Sequence, residues 1–214
     1  MKTEYEKMIA GEPYRPQDQE LRQLAARSKE FQYRFNQEQD SVKRTAIIKE
    51  WFGSTGENLA MKPDLVCDYG INIHLGENFY SNWNLTMLDV CPICIGDNAL
   101  LGPNCQLLTP LHPLDPVERN SGIEYGAPIT IGDNFWAGGG VTILPGVSLG
   151  DNVVVGAGSV VTKSFRNSNI IIGGNPAHII NTWDKFSEKI KDNVITRKEM
   201  ENCKERDSSF LISR

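Results

Sequence analysis

The sequence predicts a mainly β fold, a parallel β-helix, on three observations. Between residues 131 and 166 the side chains Ile131, Ala137, Ile143, Leu149, Val155 and Val161 recur every six residues, a fixed register that marks a repeat solenoid. A strand alternates its faces with period two, so the fifth position of one hexad and the first of the next share a face. That face reads as apolar throughout. The sixth position points the other way and carries Trp136, Thr142, Ser148, Val154, Val160 and Arg166, a mixed set suited to solvent or ligand. Finally, glycine or asparagine fills the fourth place in five of the six hexads: Asn134, Gly140, Gly146, Asn152 and Gly158. These residues best tolerate the left-handed backbone that a tight corner demands. With no 3.6-residue stripe here, and with repeats shorter than hairpin strands, neither a helix nor an ordinary hairpin sheet fits.

Residues 1–60 read as a helical cap. A short helix over Thr3–Ala10 is stopped by Gly11 and Pro13, and Asp18 caps a second one that reaches Asn36. Leu21, Leu24, Ala25, Ser28, Phe31 and Phe35 form its apolar or small stripe. A third helix, Ser41–Phe52, presents Ile47, Ile48, Trp51 and Phe52 and ends at Gly53. Such stripes suit a cover for the open end of a repeat array. Tyr14, Arg15 and Arg22 read as charged surface. The β-helix then occupies 61–182, with its register visible from Leu75 and a two-residue slip before Ile95 that preserves the facing of every side chain. Cys91 and Cys94, three apart on a strand, point in and out respectively, which argues against a zinc knuckle, and Cys105 is inward filler. Residues 183–214 read as a helical extension with Trp183, Phe186 and Ile190 on one stripe and Thr196 and Glu199 at capping-box spacing.

The formal charge of -5 over 214 residues argues against a nucleic-acid partner, because phosphate neutralisation needs a basic surface. The start, MKTEYEK, carries no long apolar run, so no secretory signal and no membrane span are expected, and the cytoplasm is the default compartment. Five scattered cysteines do not make a disulfide framework, so reduced thiols are expected.

The register breaks after Leu107. A loop at 108–128, LTPLHPLDPVERNSGIEYGAP, is too long for a corner and must leave the wall, and long loops on rigid scaffolds carry function. His112 stands in it between Leu111 and Pro113, with Pro110 just upstream, so its backbone has few alternatives. Of the three histidines, His112 is therefore the candidate catalyst, while His74 and His178 default to structural or incidental roles.

The segments CDYGINIHLGENFYSNWN, LDVCPICIGDN, HPLDPVERNSG, PITIGDNFWAGGG, ILPGVSLGDN, VVGAGSVVTK and GNPA together resemble the maltose and galactoside O-acetyltransferases, on the maltose side, over residues 4–182. The resemblance implies a left-handed parallel β-helix and a homotrimer with active sites between neighbouring subunits. It also implies acetyl-CoA as donor and a small sugar as acceptor, with no metal. His112 matches the family's catalytic histidine, and Asn82 its asparagine at the acetyl and acceptor site, where an amide can stabilise an oxyanion. An imidazole is the side chain suited to take a hydroxyl proton at neutral pH and return it to a thiolate. Asp68, Asp89 and Glu124 are candidate acceptor contacts or histidine orienters, and Tyr80, Trp83 and Trp136 candidate packing surfaces for sugar or pantetheine, or buried subunit contacts. Gly139, Ala157, Thr162 and Lys163 match positions lining the acetyl-CoA groove. Two departures stand out: His178 and Asn181 follow the NP motif where relatives often carry arginine, and SFRNSN replaces a proline-rich segment, so that either Arg166 supplies the missing charge or coenzyme A binds weakly. Alternatives are an acetyltransferase for a xenobiotic or amino-acid acceptor and a non-catalytic trimeric scaffold. A γ-type carbonic anhydrase would need three metal histidines, which His74, His112 and His178 do not supply.

Overall fold

The computed structural model describes residues 2–183. The chain forms two units, Met1–Ile180 and Asn181–Arg214. Of the second, only residues 181–183 are described, so the helical extension expected from Trp183 onward, with Phe186, Ile190, Thr196 and Glu199, lies outside the described residues.

Three helices open the chain: α1 (Glu4–Ile9), α2 (Gln19–Gln37) and α3 (Ser41–Trp51). Each begins where a side chain can accept the helix's free amides. Thr3 and Glu6 form a reciprocal capping box, Asp18 accepts from the Glu20 and Leu21 amides, and Asp40 from those of Val42 and Lys43. Phe31, Phe35, Ile47, Ile48, Trp51 and Phe52 join one core with Met61, Leu65 and Ile73, so α2 and α3 pack against the first coil of the solenoid. The arm formed by α1 and Tyr14 does something else. Met8, Tyr14 and Leu21 pack with Tyr69 and Val90, on the flank of the solenoid. Tyr14 is only 2% exposed, which corrects its reading as surface.

The wall strands come in order. The early ones are β1 (Leu59–Met61), β2 (Val66–Cys67), β3 (Ile73–Leu75), β4 (Phe79–Ser81), β5 (Thr86–Leu88), β6 (Ile93–Ile95), β7 (Leu100–Leu101) and β8 (Gln106–Leu108). A hairpin of β9 (Pro110–Leu111) and β10 (Tyr125–Gly126) carries the short helix α4 (Pro116–Asn120) at its tip. The wall resumes with β11 (Ile129–Ile131), β12 (Trp136–Ala137), β13 (Thr142–Ile143), β14 (Ser148–Leu149), β15 (Val154–Val155), β16 (Val160–Val161) and β17 (Ile170–Gly173). Successive strands take three parallel walls in turn. The first wall runs β1-β4-β7-β12-β15-β17, the second β2-β5-β8-β13-β16 and the third β3-β6-β11-β14. The solenoid therefore begins at Leu59, one coil before the register is visible in the sequence.

Register explains the facing. Phe135, Ala137, Val141, Ile143, Val147, Leu149, Val153 and Val155 are all buried, each contributing about 1 to 3 kcal/mol according to size. One inward position is polar, contrary to an apolar face throughout: Ser159 is 1% exposed. It is tolerated because its hydroxyl donates to the Gly156 carbonyl at 2.5 Å and accepts from the Gly174 amide at 3.1 Å. The five predicted fourth-place residues all have positive φ, from 56° to 79°. At the corner between the third and first walls, side-chain amides form a ladder, Asn78 to Asn98 to Asn134 to Asn152 to Asn169, at 2.9 to 3.1 Å. Stacked coils thus present the same donor and acceptor at every rung.

Coil length varies along the solenoid. Stacked residues are 20 apart in the early coils, 36 apart where the hairpin intervenes, 18 apart in the late coils and 16 to 17 apart in the last. Both extra pairs and the whole hairpin fall at the corner between the second and third walls, after Cys67, Met87 and Leu107. This corner carries Asp68, Asp89 and the hairpin with His112.

Candidate active site

At that corner Asp89 is fully buried, and its carboxylate accepts from the amides of Asp68 at 3.0 Å, Tyr69 at 2.8 Å and Asn72 at 3.3 Å. The Asn72 side chain donates back to the Asp89 carbonyl at 2.7 Å. Burial raises the Asp89 pKa, and the amides it accepts from oppose that rise. With no exposed oxygen, Asp89 does not present a surface to an acceptor in this chain; it ties one widened corner to the next. Asp68, held by it, is partly exposed. Burial, then the Asp89 and Glu124 carboxylates, push the Asp68 pKa up to about 6.

The hairpin starts from Thr109, whose buried hydroxyl donates to the Leu88 carbonyl and accepts from the Cys91 amide. Asp115 caps α4 through the Val117 and Glu118 amides, and Arg119 donates to the carbonyls of Pro113 and Leu114. The Tyr125 hydroxyl reaches the His112 carbonyl at 3.3 Å. Prolines and these bonds together fix the backbone on both sides of His112 while its side chain stays 55% exposed. Nδ1 lies 4.0 Å from Glu124 Oε1, beyond hydrogen-bond distance but on the side that carboxylate faces. Nε2 has no protein partner among the described residues, so a neutral imidazole there can accept a proton from a hydroxyl ligand.

Asn82 stands elsewhere. It follows β4, at the corner between the first and second walls; its Oδ1 accepts from the Trp83 amide at 2.9 Å, leaving Nδ2 as a donor. The second wall separates this corner from His112, so one chain does not bring the two together. Gly139 and Ala157 share the Asn82 corner. There the coils stack so closely that a Cβ on Gly138 would lie 2.7 Å from the Ala157 nitrogen, which leaves a flat, backbone-lined corner. Thr162, Lys163 and His178 line one cavity with Asn175, Pro176 and Ala177. Arg166 is not among its lining residues; it follows Phe165, which bridges to Leu149 of the third wall. Tyr80 and Trp136 sit on the outward face of the first wall, Trp136 54% exposed and in register with Leu100 and Val154.

A family model described as the maltose acetyltransferase hexapeptide capping motif matches residues 7–56, and one for six bacterial transferase hexapeptide repeats matches residues 128–163. A Dictyostelium discoideum relative named as an acetyltransferase is 57% identical over 83% of this chain and 93% of its own. The crystal structure of a maltose O-acetyltransferase from Clostridium difficile 630 is 48% identical, covers 85% of this chain and 97% of that one, and superposes with a TM-score of 0.83. A galactoside acetyltransferase in complex with coenzyme A is 39% identical, covering 88% of this chain and 94% of that one, also with a TM-score of 0.83. The chain belongs to the maltose and galactoside O-acetyltransferase family. As expected from strand parity, Cys91 is buried and Cys94 faces outward. Among the described residues no three His, Cys, Asp or Glu side chains converge on one point. Among the described residues no helix is long and apolar enough to cross a membrane. His74 is engaged by the Ser54 hydroxyl at 2.9 Å, consistent with its structural default.

Tyr14, weighed in the sequence and set down as surface, meets the hairpin beside His112. Tyr14 pairs with Glu124 by backbone on both sides, at 2.9 and 3.1 Å, and its hydroxyl donates to Glu124 Oε2 at 2.9 Å. No local signal marks it, because the partner lies 110 residues away.

Proposed function

We propose that this protein transfers an acetyl group from acetyl-CoA to a hydroxyl of a small sugar of the maltose, glucose or galactoside type. His112 acts as general base. Its Nε2 takes the hydroxyl proton as the oxygen attacks the thioester carbonyl; the tetrahedral adduct then expels the CoA sulfur, and the imidazolium returns the proton to it. Direct transfer of this kind needs no acyl-enzyme. The observation that carries the reading is the fixed His112 backbone with an open Nε2 and a carboxylate beside Nδ1.

Asn82 Nδ2 stabilises the developing oxyanion. Because the second wall stands between Asn82 and His112, the complete site takes Asn82 from a neighbouring subunit of a homotrimer, as the family resemblance implies. Asp68 and Glu124 face the acceptor, and Glu124 also orients His112; Tyr80 and Trp136 pack on substrate or on the neighbouring subunit. The flat corner at Gly139 and Ala157 lets backbone groups meet the pantetheine, and Thr162, Lys163 and His178 take the nucleotide end, with Lys163 supplying charge to phosphate. A galactoside acetyltransferase relative solved in complex with coenzyme A supports coenzyme A as the carrier of the acetyl group.

The test is an acceptor screen with acetyl-CoA and a thiol reagent over maltose, glucose, galactosides, chloramphenicol and serine. Sugar-dependent thiol release by the wild type supports the reading. Turnover restricted to chloramphenicol or serine reassigns the acceptor, and none with any acceptor favours a scaffold.

A further inference from the structure

We infer that Tyr14, contributed by the N-terminal arm, is a positioning residue for the transfer reaction: it holds Glu124, and Glu124 sets the orientation of His112. The inference rests on the proposed role of His112 and extends the site to a segment that otherwise looks like a cap.

Three contacts converge on Glu124 from Tyr14. The Tyr14 amide donates to the Glu124 carbonyl at 2.9 Å, the Glu124 amide donates to the Tyr14 carbonyl at 3.1 Å, and the phenol donates to Oε2 at 2.9 Å. A carboxylate is planar, so fixing its backbone and one oxygen determines where the other points. That other oxygen, Oε1, is the atom 4.0 Å from His112 Nδ1. The phenol is a dependable donor: burial and the Glu124 carboxylate push its pKa far above the ordinary tyrosine range, so it keeps its proton.

The arm is itself anchored. The Cys91 thiol donates to the Met8 carbonyl at 3.1 Å, and the Tyr14 ring packs with Met8, Leu21, Tyr69 and Val90. Gly11, at φ +72°, lies against the strand that leaves Glu124; a Cβ there would stand 2.8 Å from the Gly126 carbonyl oxygen. The arm thus grips the hairpin's return strand and the widened corner together. Orientation of a histidine by a neighbouring carboxylate, itself held by a further hydrogen bond, is a general way to fix the ring for proton transfer.

The experiment is a double-mutant cycle on the full chain with Tyr14→Phe, Glu124→Gln and the pair, read by kcat, by KM for acetyl-CoA and by thermal melting. Tyr14→Phe keeps the buried ring and removes only the hydroxyl. The expected result is a kcat about tenfold lower with KM for acetyl-CoA unchanged, a similar loss in Glu124→Gln, and no further loss when Tyr14→Phe is added to it. Wild-type kcat in Tyr14→Phe overturns the inference, and so does an equal loss in both backgrounds, which is what a purely structural role gives. A second readout does not depend on turnover. In protein with isotopically labelled histidines, Tyr14→Phe is expected to shift the His112 ring resonances and leave those of His74 and His178 in place; unmoved His112 signals overturn the inference. A wild type inactive on every acceptor, with His112 still shifted, sinks the acetyl-transfer reading alone.

Discussion

Replacing Asp68 with asparagine is predicted to make the protein more stable at alkaline pH and no more stable in acid. The Asp68 pKa rises from 3.8 to about 6 through burial and the nearby Asp89 and Glu124 carboxylates. A group whose folded pKa lies above its unfolded one holds its proton more tightly in the native state. Wild-type stability therefore falls as pH rises from 3.8 to about 6, and the penalty is fully present above that window. The shift corresponds to about 3 kcal/mol, an upper bound because the side chain is partly exposed. Asparagine imitates the neutral acid and carries no penalty. Urea denaturation at fixed protein concentration, run between about pH 4 and pH 8, is the assay. The two proteins should be equally stable at the acid end, with a gap opening toward about 3 kcal/mol in favour of Asp68→Asn at the alkaline end. A variant that is no more stable at the alkaline end, or is stabilised equally throughout, refutes the reasoning.

Other consequences follow from the walls and corners. Asn134→Ala loses two rungs of the amide ladder and forces alanine to φ 56°, so a loss of about 2 to 4 kcal/mol is expected by urea denaturation, while Asn134→Gly, free of the φ strain, loses less. Gly138→Val places a side chain against the Ala157 backbone, and calorimetry should show a lower melting temperature together with weaker acetyl-CoA binding. Lys163→Ala should raise KM for acetyl-CoA about tenfold with kcat retained, whereas Arg166→Ala, outside that cavity, should leave the KM unchanged.

The late coils were legible because every signal in them is local. A six-residue spacing, the parity of a strand and the φ preference of Asn134, Gly140 and Gly146 are all properties of neighbouring residues. The first coil was less so. Its corner at Lys62–Asp64 takes a left-handed turn through Asp64, at φ 66°, in place of the usual asparagine or glycine. Ser159 broke the apolar face because a hydroxyl that finds a carbonyl and an amide is as easily buried there as a methyl group; the Gly156 carbonyl is three residues upstream, and only the stacked coil reveals the Gly174 amide. In the site, two prolines and the length of the loop marked His112, which is a sequence-level statement. Asp89, read as an acceptor contact or histidine orienter, turns out to be enclosed by three amides of the preceding coil, which its own neighbours in the sequence do not reveal. Tyr14 was set down as surface for the same reason over a longer reach, its partner Glu124 lying 110 residues away. Charged and polar residues reveal their roles only when their partners are known, and here those partners lie one coil or half a chain away.

The claim on which the rest depends is that the imidazole of His112 removes the acceptor's proton. It is tested most directly by the kcat of purified His112→Ala with acetyl-CoA and the best sugar from the screen, alongside a melting curve that confirms the fold. The expected result is a kcat lower by about a hundredfold to ten-thousandfold at an unchanged melting temperature. Wild-type turnover in a folded His112→Ala protein would contradict the account.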